Sequence, residues 1–144
     1  MNSILLNTAR RYVGPLLLIL SLVLLYRGHN LPGGGFIGGL MAASSIILSA
    51  YAHGWAEVEK RLPIDPLVLM ASGLSIAMLS GLPGIFLGDV YMKGLWLPPF
   101  KVFILGKVKL GTPFLFDVGV YLAVIGFAVK CALALGTYND SWKS

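Results

Sequence analysis

The sequence predicts an all-α integral membrane protein with four transmembrane helices and a short β-hairpin-like loop between the third and fourth. Three observations carry that prediction. Of the 144 residues, 57% are hydrophobic and only 12% charged, with a mean hydropathy of +0.83; a soluble domain has about 25% charged and about 45–50% apolar residues. So few charges do not cover a soluble surface of this size, and the apolar excess excludes intrinsic disorder. The apolar residues also fall into four stretches near the roughly 20 residues that a bilayer core demands. Most of the charges lie between those stretches. The length allows a single domain, residues 1–144.

The spans are expected at 5–26, 33–55, 66–88 and 113–138. In the first, the run Tyr12–Tyr26 reaches only about 22 Å as a helix, so the helix continues toward Ile4 while Arg10 and Arg11 snorkel. Arg-Arg before an apolar run fits the start of a signal peptide, but Arg27-Gly28-His29-Asn30 offers no small-residue cleavage site, so a retained anchor is expected. The second stretch carries no Asp, Glu, Lys or Arg and places His53 near one end, at the interface. The third is likewise uncharged, and the fourth holds Asp117 and Lys130.

The connections follow. Arg27–Pro32 is short, so the first two helices form a tight antiparallel pair. Ala56–Asp65 reads as a charged loop, with Glu57, Glu59, Lys60, Arg61 and Asp65. Asp89–Thr112 is the longest. Within it Lys101–Leu110 partly alternates around Gly106, the pattern of a small β-hairpin on the membrane face or on a partner. Trp96, Pro98, Pro99 and Phe100 suit the interfacial belt. An even number of spans puts both termini on one side, with Arg10, Arg11, Lys60, Arg61 and Lys143. Arg27, Lys93, Lys101, Lys107 and Lys109 balance them opposite, so positive charge does not set the orientation. The net charge of +5 is therefore spread over every connecting segment, as lipid headgroups require, and does not form a nucleic-acid face. Cys131 is the single cysteine, which excludes an internal disulfide and a multi-cysteine metal site.

The most unusual stretch is Gly28-His29-Asn30-Leu31-Pro32-Gly33-Gly34-Gly35-Phe36-Ile37-Gly38-Gly39. Gly33-x-Gly35-x-x-Gly38 formally matches a dinucleotide fingerprint, but that needs a preceding strand in a βαβ unit, and here a span precedes and another follows. Gly34 and Gly38, like Gly35 and Gly39, are four apart and strip one helical face of side chains, allowing close backbone approach; Ala42 and Ala43 extend that face. Pro32 with Gly33, Gly34 and Gly35 makes an irregular first turn, tolerated at membrane depth only where protein covers it or water lines it. Two readings stand: a tight helix contact alone, or a bend that also borders a hydrated path. His29, which titrates near neutral pH, is either a loop histidine in headgroup water or a proton relay at the mouth of that bend.

Asp117 is the strongest ionisable candidate. Thr112-Pro113 reads as a cap followed by proline in the first turn, which puts Asp117 about 6 Å into the helix, where the N-terminus favours its charged form. An intramembrane carboxylate is a functional candidate; the other reading is a shallow carboxylate paired with a neighbouring subunit. Lys130 lies about 20 Å further along the same helix and does not pair with Asp117 there. It snorkels to the far interface, or else needs a carboxylate on another chain, since no other span offers one. No Ser-His-Asp set, metal-ligand cluster or paired carboxylate is present, so no catalytic centre, metal site or cofactor is expected.

The run Arg27–Gly39, taken with Leu110-Gly111-Thr112-Pro113-Phe114-Leu115-Phe116-Asp117-Val118-Gly119-Val120-Tyr121, resembles the MnhB-type subunit of the multisubunit Na⁺/H⁺ antiporters of the Mrp (Mnh) family, over nearly the whole chain. The family's Gly-His-x-x-Pro-Gly-Gly-Gly-Phe stretch falls on Gly28, His29, Pro32, Gly33, Gly34, Gly35 and Phe36. Its Phe-Asp-x-Gly-Val-Tyr stretch falls on Phe116, Asp117, Gly119, Val120 and Tyr121. The resemblance implies a prokaryotic plasma-membrane protein in a hetero-oligomer whose large antiporter-like subunits are similar to the proton-pumping subunits of respiratory complex I. It implies Na⁺ and H⁺ as the ions the whole machine exchanges, with this subunit required but not an antiporter alone. Similar subunits also occur in membrane-bound hydrogenases. The alternatives are therefore an equivalent subunit of a redox-driven ion pump, or a purely structural membrane adaptor.

Overall fold

A computed structural model describes residues 4–28, 34–86, 94, 100–102, 106–108 and 111–141. In chain order the elements are α1 (Ile4–Arg27), α2 (Gly34–His53), α3 (Trp55–Arg61), α4 (Pro66–Leu79), α5 (Leu82–Phe86), β1 (Phe100–Val102), β2 (Gly106–Val108) and α6 (Thr112–Ser141). The expected bend residues His29, Pro32 and Gly33 lie outside the described residues.

Among the described residues three helices are long and apolar enough to cross a membrane: α1, α2, and α6 as far as Tyr138. The described residues are thus mostly helical, with three candidate crossings, or four if α3 and α4, bent by 54° at their junction, act as one. At 14 residues α4 alone is about 21 Å long, short of a hydrocarbon core of about 30 Å.

The stretch 66–88 is not one continuous helix. α4 stops at Leu79 and α5 starts at Leu82. Pro83 has no N–H to give to the Leu79 carbonyl, and its ring crowds that carbonyl. The Ser80 N–H closes α4 onto Ile76 O, its hydroxyl donates to Ala77 O at 2.7 Å, and the Gly81 N–H reaches Met78 O at 3.3 Å.

The segment expected as a charged loop, 56–65, is in its first half the helix α3. Gly54, at φ 99°, lets the chain turn out of α2. The Trp55 ring then lies over Gly136 of α6 and edge-on to Tyr51, with centroids 4.9 Å apart. Arg61 pairs with Glu57 one turn earlier at 2.8 Å, the spacing that supports a helix. Pro63 ends α3, and Asp65 starts α4 by accepting the Leu67 N–H at 2.7 Å, with Pro66 in the first turn. β1 and β2 pair antiparallel, Phe100 opposite Val108 and Val102 opposite Gly106. The turn of the expected hairpin-like loop, 103–105, lies outside the described residues.

α6 is the central helix. α2 and α4 pack along it, and α1 packs on α2. The α1–α2 register is fixed where Ser45 donates to the Gly14 carbonyl at 2.9 Å. Within α2 the buried residues are all small: Gly34, Gly35, Gly38, Gly39, Ala42, Ala43, Ser45, Ala50 and Ala52. Large apolar side chains point out instead, with Leu16 61%, Ile19 62% and Phe127 60% exposed. In lipid, apolar burial does not drive helices together, so association rests on close backbone packing. The small buried face of α2 lets its backbone approach, and the core beside it is completed by Leu25 of α1 and Tyr121, Ile125, Val129 and Leu133 of α6.

Candidate functional site: the Asp117 junction

The α2 N-terminus is the point from which the site is built. Its first amides have no partner within the helix, and the first turn contains no acidic residue. The partner comes from α6: Asp117 Oδ1 accepts the Gly35 N–H in a long bond of 3.5 Å. The positive end of the α2 dipole therefore faces the carboxylate directly.

Glycine makes that approach possible. Gly34 has φ 83°, in the left-handed region that side chains resist, and a Cβ there would stand 3.4 Å from Asp117 Oδ1. At Gly35 a Cβ would fall on the Asp117 carbonyl oxygen, and it would lie 2.9 Å from the Tyr121 nitrogen. At Gly39 it would meet the Tyr121 carbonyl oxygen and Val124 Cβ, both at 2.9 Å. Gly38 turns toward α1, where a Cβ would meet Ser21 O at 2.9 Å. The glycine run thus serves two neighbours within this chain: Gly35 and Gly39 face α6, and Gly38 faces α1. Phe36, in the same run, points outward and is 57% exposed.

On its other side Asp117 lines a cavity of about 210 Å³ with Ser80, Gly81, Thr112, Pro113 and Phe116. This is where α4 breaks off, so the carbonyl-bearing, partially negative end of α4 adjoins it. At about 30 Å³ of liquid volume per water, such a cavity has room for several waters. Non-helical backbone at membrane depth is tolerated where it lines such a space.

One turn along α6, Tyr121 adds a buried hydroxyl. The Ser21 hydroxyl spends its single proton on Leu18 O at 2.7 Å, so in its 3.1 Å contact with Tyr121 the tyrosine O–H donates. Neither Ser21 nor Ser45 stands out in the sequence. Serine inside an apolar run, alone at Ser21 and paired with Ser44 at Ser45, is the signal that finds them, because small polar residues join helices in membranes.

Lys130 is not at this junction. Its Nζ lies 3.9 Å from Glu59 Oε1 of α3, with both side chains roughly half exposed. Of the two expectations for Lys130, snorkelling to the interface or a carboxylate on another chain, the half-exposed ammonium agrees with the first, and the nearby carboxylate is Glu59 of this chain's α3. Among the described residues no three His, Cys, Asp or Glu side chains gather to hold a metal.

Residues 5–130 match the family model described as a domain related to the MnhB subunit of Na⁺/H⁺ antiporter. The Na⁺/H⁺ antiporter B subunit of Alkalihalophilus pseudofirmus is 40% identical over 93% of this chain and 92% of its own length. Its counterpart of the same name in Bacillus subtilis is 36% identical over 94% of each. Among solved structures, a chain of the Mrp complex from Dietzia sp. DQ12-45-1b superposes with a TM-score of 0.77 at 35% identity, over 92% of this chain. This chain spans only 14% of that longer one. With matches of this extent, the chain belongs to the family of domains related to the MnhB subunit of Na⁺/H⁺ antiporters.

Proposed function

We propose that this protein is an accessory subunit of a hetero-oligomeric Na⁺/H⁺ antiporter in a prokaryotic plasma membrane, and that Asp117 borders the complex's hydrated ion path. The reading of its role rests on relatives of nearly equal length that are named as B subunits of Na⁺/H⁺ antiporters. The observation that carries the role of Asp117 is its position between the α2 N-terminus and the cavity at the α4 break. A carboxylate held there by a backbone amide keeps its second oxygen for a cation, a proton or water. The lipid bilayer and the other subunits of a Mrp-type complex are its partners. The chain forms one domain crossing the membrane four times, with α3 and α4 acting as a bent third span and β1–β2 belonging to a hairpin-like loop before α6. His29 serves at the mouth of the α1–α2 connection, and Lys130 with Glu59 at the other end of α6. No catalytic centre of its own is needed.

The test separates assembly from transport. Asp117→Asn keeps an oxygen acceptor for the Gly35 N–H and loses the charge. We expect the tagged variant to co-purify with the same antiporter subunits as the parent, and Na⁺-driven proton flux in vesicles to fall about a hundredfold or more, the scale of an essential proton-transfer group. Unchanged flux would remove Asp117 from the path. Co-purification with iron–sulfur or nickel-binding subunits would move the protein to a redox-driven pump.

A further inference from the structure

A second site is formed at the opposite end of the α1–α2 pair. The Ser45–Gly14 hydrogen bond sets Arg10, one turn before Gly14, level with Ser49, one turn after Ser45. The chain then reverses at Gly54 and α3 brings Arg61 back to the same level. The result is a pocket of about 210 Å³ whose rim holds Arg10, Ser49, His53 and Arg61, with Ile46 and Leu62 among its apolar walls.

Among the described residues no carboxylate lines this pocket. The nearest on α3, Glu57, takes Nε and Nη2 of Arg61 through a single oxygen, which leaves the Nη1 edge of the guanidinium unused by that pair. The other α3 carboxylate, Glu59, faces Lys130. Arg10 has no hydrogen-bond or ion-pair partner among the described residues. His53 Nδ1 lies 3.3 Å from the Ser49 carbonyl oxygen; a proton on Nδ1 makes that bond and leaves Nε2 as the second ring nitrogen. Two guanidinium groups, an imidazole and a hydroxyl thus surround a space with an apolar wall, on the face of the bundle where α1 begins. Guanidinium forks match phosphate oxygens in pairs, and basic pockets between helices near the membrane surface take anionic headgroups.

We propose that this pocket binds the phosphate of an anionic phospholipid, its glycerol and upper acyl chain lying on the apolar wall. The site is independent of the antiporter reading: it needs only this chain in a bilayer. The lipid ties α1, α2 and α3 together at the face where the α2–α3 turn has no side-chain cap.

The test uses the full-length chain in a neutral detergent, titrated with phosphatidylglycerol, phosphatidylcholine or inorganic phosphate, with bound adducts counted by native mass spectrometry. Phosphatidylglycerol should bind well ahead of phosphatidylcholine. R10Q should weaken it about fivefold, and R10Q with R61Q about twentyfold, the scale of one surface cation per phosphate contact. R11Q, which changes an arginine that does not line the pocket, should leave binding within about twofold. Equal losses for R11Q and R10Q would reduce the effect to general surface charge and overturn the site, as would equal binding of phosphatidylcholine. Displacement of phosphatidylglycerol by an equal concentration of inorganic phosphate would assign the pocket to soluble phosphate and overturn the lipid. If the double variant does not fold, R10Q alone decides, because the Arg10 side chain is exposed.

Discussion

Asp117 shows how much chemistry one residue takes from its neighbours. The sequence places it near the start of α6, and the structure supplies an amide from α2 that lies 82 residues away in the chain. Asp117→Ala removes the acceptor as well as the charge. It should lower stability by about 1 kcal/mol, the usual worth of a helix-capping oxygen, seen as a lower unfolding midpoint in detergent that Asp117→Asn does not share. Gly35→Ala drives a methyl into the α6 backbone, where neither partner yields. Overpacking of this kind costs about 1–3 kcal/mol, more than the roughly 1 kcal/mol by which alanine improves helix propensity. Gly14→Ala is the matched control: its methyl meets only the Ser45 hydroxyl, at 3.4 Å, so the midpoint should hold or rise. Tyr121→Phe should cost about 1 kcal/mol, because Ser21 loses one bond and keeps its own to Leu18.

At the scale of elements, the glycine spacing in α2 is legible as a packing face, but the helix it meets is not. The α4–α6 contact is only half legible: Gly119 and Gly126 lie seven apart on one face of α6, the spacing of two helical turns, but nothing along the chain marks Gly73 of α4 as what that face meets. Only in the fold does a Cβ on Gly119 come within 2.7 Å of Gly73 O, and one on Gly126 within 2.5 Å of Met70 N. Gly119→Val should therefore separate α4 from α6 while leaving the α2–α6 contact in place, measurable as loss of an engineered cysteine crosslink across the first pair alone. α3 reads as a loop in the sequence because its charges suit solvent. What makes it a helix is the Trp55 ring seated over Gly136, and Gly136→Val should displace that ring and shift its fluorescence to the red. Lys130→Met removes a half-exposed pair whose worth is at most about 1 kcal/mol, so the unfolding midpoint should barely move. Any loss of ion exchange in that variant would then be a transport effect.

For the molecule as a whole, the distribution of apolar side chains is that of a bundle made to be surrounded. α1 packs on α2 while Leu16, Ile19 and Leu22 stand more than half exposed, at 61%, 62% and 58%, a face for lipid or for other subunits. Replacing Gly38 by Leu, where a Cβ already meets the Ser21 carbonyl at 2.9 Å, should part α1 from α2 and abolish recovery of the complex in a pull-down. The sequence by itself determined the solvent this protein lives in, the approximate places of α1, α2 and α6, and the family, because hydropathy, charge placement and two local motifs are properties of neighbouring residues along the chain. Tertiary structure decided the break at Ser80–Gly81, the amide that meets Asp117, the hydroxyl pair Ser21–Tyr121 and the partner of Lys130. Each of these depends on which backbones lie within a few ångströms of one another. In lipid that choice is made by small residues meeting across helices, and composition and periodicity do not record it.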